Sequence, residues 1–234
     1  LVAQNDYANL GWNTSAGAGG KSPEYSRYAI VPNADVQIKY KINKTVAGVG
    51  TDYKIIKPRQ YTTGLSGTYE AKETLGTWAF LAYFKTEANL LTLKTKVLYG
   101  QNLTEHNLLG GYAAASYDSL TGKEKYSPST VLSYWFNATY GNQFKIGLFA
   151  GFIKNMGFSE QNITKLIWSR GSDIDYIYRI SPNIIYTMDK LQMAAEVDYT
   201  VVAYGIKDNN NYGKVSNTKN IANLRLNLAM TYNF

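Results

Sequence analysis

The feature that most constrains this chain is an apolar–polar alternation of period two, repeated along most of its length. In the last fifteen residues, Ala222, Leu224, Leu226, Leu228, Met230, Tyr232 and Phe234 share one face. Asn223, Arg225, Asn227, Thr231 and Asn233 share the other, with Ala229 as the apolar exception. Leu191 to Ala203, Tyr176 to Tyr186, Phe144 to Phe152, Leu132 to Tyr140, Leu91 to Tyr99, Val49 to Ile55 and Val36 to Ile42 repeat the pattern. These stretches run to roughly 10–15 residues, whereas soluble strands average about 5–6. A tilted strand that crosses a bilayer needs about 9–11 residues. The length of the alternation therefore favours a membrane barrel over a soluble β-sandwich.

The connections alternate in length too. Short turns fall at Asn43-Lys44-Thr45, Thr86 to Asn89, Gly141-Asn142-Gln143 and Met188-Asp189-Lys190. Long polar connections fall at 13–27, 61–75, 101–128, 157–172 and 206–219. Short turns on one side and long loops on the other are what outer-membrane barrels show. Strands are expected at 3–12, 28–42, 46–57, 76–85, 90–100, 129–140, 143–155, 173–187, 191–205 and 220–234. That makes about ten strands in one antiparallel transmembrane β-barrel domain over residues 1–234, all-β in class. Tyr40, Tyr99, Tyr134, Tyr140, Tyr176, Tyr178, Tyr186, Tyr199, Tyr232 and Phe234 lie on the apolar face, most of them towards strand ends, where aromatic girdles sit.

Composition narrows the chemistry. There is no Cys and a single His, so disulfides, thiol nucleophiles and thiolate metal sites are absent. Mean hydropathy is −0.29 and the longest apolar run is Ile146 to Ile153, too short for a membrane helix of about 20 residues. The net charge of +7 is spread through strands such as Lys39-Tyr40-Lys41 rather than clustered, which argues against nucleic acid as a partner. Leu1-Val2-Ala3-Gln4 reads as the interior of a longer or processed chain.

If one face meets lipid, the other lines a lumen. The alternation assigns Lys39, Lys41, Lys54, Lys94, Lys96, Lys145, Arg179 and Arg225 to that lining, with Asp35, Asp52, Glu196 and Asp198 as its acids. Basic residues outnumber acidic ones there, which lowers the barrier for anions. Glu196 and Asp198 are expected to pair with Arg225 and Arg179 on flanking strands. Lys39, Lys41, Lys94 and Lys96 have no such evident partners, so they are the expected source of the field that solutes meet.

Other features carry less. His106 sits in Asn102-Leu103-Thr104-Glu105-His106-Asn107 without a nucleophile elbow or a second His, so no catalytic residue is assigned. Asn209-Asn210-Asn211 and the pair Asp173/Asp175 are too weakly spaced to assign a metal. Ala16-Gly17-Ala18-Gly19-Gly20-Lys21 lacks phosphate-loop spacing and reads as a loop. No cofactor is expected.

Several elements resemble the Bacteroidota outer-membrane porins of the DcaP-like kind. They are Tyr99-Gly100-Gln101-Asn102-Leu103, Gly110-Gly111-Tyr112, Ser133-Tyr134-Trp135 and Tyr140-Gly141. Gly147 to Gly157 resembles that family's strand followed by a Lys-Asn-Leu-Gly-like element. Arg179-Ile180-Ser181-Pro182-Asn183, Ala195 to Thr200 and Asn223 to Phe234 follow in the same order, with Val31-Pro32-Asn33-Ala34, Asp52-Tyr53-Lys54 and Lys57-Pro58-Arg59 upstream. The resemblance implies a passive outer-membrane diffusion channel for small polar solutes, assembled as a homotrimer. It also implies that this chain is the C-terminal part of a larger barrel of about 16 strands. Phe234, a terminal aromatic on an alternating strand, resembles the element that barrel assembly machinery recognises. A substrate-specific channel for oligosaccharides or organic anions is the alternative, with 101–128 turned inward as its constriction. An outer-membrane hydrolase ranks below both.

Overall fold

A computed structural model describes Ala29 and residues 31–233. The chain forms β1 (Ala34–Ile42), β2 (Thr45–Ile56), β3 (Tyr61–Gly64), β4 (Gly67–Glu70), β5 (Leu75–Ala88), β6 (Leu91–Gln101) and β7 (Gly110–Tyr117). It continues with β8 (Glu124–Gly141), β9 (Phe144–Phe158), β10 (Ile167–Arg170), β11 (Ile174–Met188), β12 (Leu191–Asp208) and β13 (Lys214–Tyr232). Nine long strands pair in the order β1-β2-β5-β6-β8-β9-β11-β12-β13, every pair antiparallel. This is the all-β meander that the alternation predicts. The expected strand at 3–12 and Phe234 lie outside the described residues.

At one end the strands are joined by tight turns at 43–44, 89–90, 142–143 and 189–190. Three of them open on a left-handed residue: Asn43, Asn89 and Asp189, with φ of 50°, 49° and 49°. Asn and Asp tolerate that conformation best among residues with a Cβ. All the long connections lie at the opposite end.

Those connections depart from the expected plain loops. The stretch 61–75 contains the β3–β4 hairpin, 101–128 contains β7, and 157–172 contains β10. The connection expected at 206–219 shrinks to 209–213, because β12 and β13 run on as a ladder to Asp208 and Lys214. The missed pieces are four to eight residues long, and their apolar residues (Tyr112 to Ala114 in β7, Ile167 and Trp168 in β10) stand consecutively, so no apolar–polar alternation announces them. Backbone pairing alone makes them strands.

One face of the wall is apolar and open. Leu228 and Met230 expose 76% and 75% of their surface, and Ile38 exposes 69%. In register across the sheet this face carries Ile38, Val49, Ala82, Val97, Tyr134, Phe152, Tyr178, Val201 and Ala222. An apolar face of this extent is a membrane or interaction surface. Near the long-connection end, Tyr134, Phe152, Tyr176, Tyr178 and Tyr199 form a chain of ring contacts at centroid distances of 5.3, 5.9, 6.4 and 6.4 Å. Tyr140, Phe144, Tyr186 and Tyr232 occupy the same face at the other end. From Tyr178 to Tyr186 is roughly 27 Å along the strand, or ~20 Å after the usual tilt, close to the ≈25 Å apolar band of an outer-membrane barrel.

Candidate pore lining and inward turn

The register places the sequence-predicted lining residues on the face opposite the aromatic bands. One row runs Lys39, Gly48, Tyr83, Lys96, Trp135, Gly151, Arg179, Thr200 and Asn223. The next runs Lys41, Val46, Lys85, Lys94, Asn137, Phe149 and Ser181, followed by Asp198 and Arg225. Lys145 shares the face near the short turns, opposite Ile185 and Gly141. Asp35 lies directly opposite Asp52.

Two kinds of electrostatics follow. On β11–β13 the charges are matched. Arg225 donates to Asp198 Oδ2 at 2.8 Å, and Asn227 Nδ2 donates to the same oxygen at 2.9 Å. Ser181 donates to Asp198 Oδ1, and Arg179 Nη1 lies 3.9 Å from Oδ2. Arg179 also donates through Nε to Thr200 at 3.0 Å. Glu196 takes a 3.3 Å bond from Asn227 rather than from an arginine. On β1–β6 the lysines stand apart: among the described residues no ion pair joins Lys39, Lys41, Lys94 or Lys96 to a carboxylate. Sequence reasoning passed over Lys85 and Glu87, which pair at 2.8 Å on this face. The alternation of Trp78, Phe80 and Phe84 on the other face of β5 was the pattern that would have placed them.

Lys54 departs from its expected role. It lies on the polar face, but only 1% of its side chain is exposed. The segment after β6 folds back onto that face and covers it. Lys54 Nζ donates to the Asn102 carbonyl at 3.0 Å and pairs with Glu105 at 2.9 Å. The turn Leu103–His106 is a single 3-10 turn flanked by left-handed Asn102 and Asn107, with φ of 47° and 60°. Fully buried Leu103, with Leu108 and Leu109, packs against Leu98, Val131, Ile153 and Ile177. Leu98, Ile153 and Ile177 continue the faces of Lys96, Gly151 and Arg179. The apolar patch within the polar wall is thus a seat for the inward turn.

Asp52, Glu105 and His106 bring ligand atoms within 4.8 Å of one another. The Lys54 ammonium already supplies positive charge at Glu105, so the cluster functions as an ion-pair network. Partial burial holds the His106 imidazole below its usual range, with the Asp52 charge opposing. Asp175 pairs with Lys154 at 2.6 Å, and Asn209 donates to the Thr164 carbonyl at 3.3 Å; both are structural contacts. The 16–21 stretch lies outside the described residues.

These features define a porin-like wall: one lipid-type face, one charged face and a connection turned inward onto the latter. Comparison with solved structures agrees. The outer membrane channel DcaP of Acinetobacter baumannii superposes with a TM-score of 0.60 at 12% identity, over 88% of this chain and 52% of that one. The likeness is one of fold, and the chain spans about half the length of that channel. No family pattern matches the chain, and no curated protein matches it.

Proposed function

We propose that this chain forms part of the wall of a passive outer-membrane channel for small polar solutes, with a mild preference for anions. One observation carries the reading: nine long strands separate a continuous apolar, aromatic-banded face from a charged face that receives an inward turn. The charge on that face favours anions, because Asp198 is neutralised on β11–β13 while Lys39, Lys41, Lys94 and Lys96 are not. The wall is completed by strands beyond these nine, since β1 and β13 are open edges among the described residues. Outer-membrane lipid on the apolar face, trimeric assembly and insertion through Phe234 belong to the same reading. No catalytic step and no cofactor enter it.

Reversal potentials across a planar bilayer under a salt gradient test this. Anions are expected to pass more readily than cations of similar size. The preference fades as salt rises, because the Debye length shrinks from about 10 Å at 0.1 M to about 3 Å at 1 M. Replacing the four lysines with glutamine is expected to abolish it. A cation-selective channel, or selectivity unchanged in that variant, refutes the anion preference. The inward turn favours a narrower alternative, a channel selective for one solute class.

A further inference from the structure

We propose that the long-connection end carries a binding cavity for neutral oligosaccharides, built where three connections interlock. The first connection presents the β3–β4 hairpin, the second the β7–β8 hairpin, and the third residues 159–170 with β10. They are joined by specific bonds. Leu65 and Ser66 donate backbone N–H groups to the Ser119 and Leu120 carbonyls at 3.0 and 2.8 Å, and Thr62 Oγ1 donates to the Thr121 carbonyl at 3.1 Å. On the other flank, Ala114 and Leu166 share a 2.9 Å backbone bond, Thr164 donates to the Ala114 carbonyl at 2.8 Å, and β7 pairs with β10. The cavity between them is open to solvent on one side and measures about 790 Å³, within the range of small-molecule sites.

Its base is a locked arginine. Arg59 Nε donates to Glu124 Oε2 at 2.9 Å, and Tyr126 donates to the same oxygen at 2.8 Å. The guanidinium lies over the Trp168 ring at 5.0 Å, and Trp168 in turn packs on Tyr112 at 5.4 Å and on Tyr126 at 6.2 Å. Glu124 is buried by this arrangement, whereas 41% of the Arg59 side chain stays exposed and lines the cavity. Above it stand two open rings, Tyr61 and Tyr117, at 64% and 47% exposure. Thr63 and Thr164 add hydroxyls, whereas Thr62 is buried and spends its own on the Thr121 carbonyl.

The chemistry of the lining selects the ligand. Arg59 and Glu124 are its two charged residues and they cancel, so the cavity offers no net field to hold a phosphate or carboxylate. It offers instead fixed N–H donors, hydroxyls that donate and accept, and aromatic faces. A sugar ring presents the complement: hydroxyls at its rim and an apolar C–H face for stacking. A donor arginine pre-set by stacking loses little freedom on binding. The cavity lies at the long-connection end, so under the channel reading it would hold a sugar before passage. Binding itself is measurable without conduction.

The test uses the detergent-purified chain and its tryptophan fluorescence, with Trp168 beneath the cavity. The probes are linear gluco-, manno- and galacto-oligosaccharides, with benzoate and inorganic phosphate as the anionic arm. At least one oligosaccharide is expected to give a saturable change that persists from low to high salt. Tyr61→Ala and Tyr117→Ala each weaken it by up to about tenfold, Arg59→Gln weakens it further, and Tyr61→Phe retains it. The Phe variant guards against loss of folding, as does the gel mobility shift of a folded barrel on heating. No saturable change with any oligosaccharide overturns the proposal. So does salt-sensitive binding of benzoate or phosphate alone, or oligosaccharide binding indifferent to all three weakening variants. Conductance without binding defeats this inference alone; binding without conductance defeats the channel reading alone.

Discussion

Lys54 illustrates how one buried charge organises its surroundings. An ammonium removed from water must be paired and hydrogen-bonded, and here the pairing groups come from the inward turn, through Asn102 and Glu105. Lys54→Met is therefore expected to release the turn, read as faster amide exchange over 102–109. Leu103→Ala empties a fully buried site, and by cavity arithmetic weakens docking by about 2–5 kcal/mol; unchanged protection would sink the seat described above. His106 gives the turn a pH dependence with a defined sign. Its pKa is lowered when docked, so the undocked turn binds the proton more readily. Docking is fully present above the ordinary histidine range near 6.5 and weakens as pH falls below it. His106→Gln should flatten the pH dependence of protection over 102–109 between pH 8 and 5, read as exchange relative to the intrinsic rate at each pH. The charged groups that face the imidazole are Asp35, Asp52, Lys54 and Lys96, together with Glu105, whose Oε1 lies 3.8 Å from Nε2.

At the scale of elements, the two faces of a strand should respond differently to the same change. Leu226 lies on the open apolar face of β13 and is 65% exposed. Leu226→Arg is expected to destabilise the lipid-inserted barrel by about 2–4 kcal/mol near the midplane, measured by urea titration in vesicles. Asn223→Lys on the opposite face is expected to be mild. Equal tolerance at the two sites would remove the argument for a lipid face. At the rim, Gly111 holds φ of 126°, and an added Cβ would come within 2.3 Å of the Trp168 carbonyl. Gly111→Ala should therefore unpair β7 from β10 and shift tryptophan emission while leaving the wall strands intact. The wall was legible in the sequence, because an apolar face on one side and a polar face on the other impose a strict period of two. Its turns and faces follow from residues such as Asn43, Asp189, Leu224 and Arg225. The inward turn and the rim were not legible. Leu103, Leu108 and Leu109 are three apolar residues in a polar segment with no period, and their partners Ile153 and Ile177 lie far along the chain on a face that reads as lumen. Arg59, Glu124 and Trp168 are likewise scattered over three connections, and only the folded chain joins them.

At the scale of the whole molecule, the nine wall strands and two open edges among the described residues set an expectation about closure. About eight strands make an interior just filled by side chains, whereas 16–18 leave an aqueous channel. Electron microscopy of the intact assembly in detergent is expected to show a wall of more than nine strands around each pore. Direct pairing of β1 with β13 would refute this. The strand order has a further consequence, for the sequence of events during folding. Every wall strand pairs with its chain neighbour in the wall, so each ladder closes a modest stretch of chain, and contacts of that kind form early. The sheet can then extend one hairpin at a time from either edge. The inward turn follows a different schedule. It leaves the chain after β6, yet its seat includes Ile153 of β9 and Ile177 of β11, which come into place two and three wall strands later. The wall is thus laid down before the turn is fully seated: a chain halted at β8 would hold the turn through Lys54, Leu98 and Val131 alone, without the Ile153 and Ile177 part of its seat.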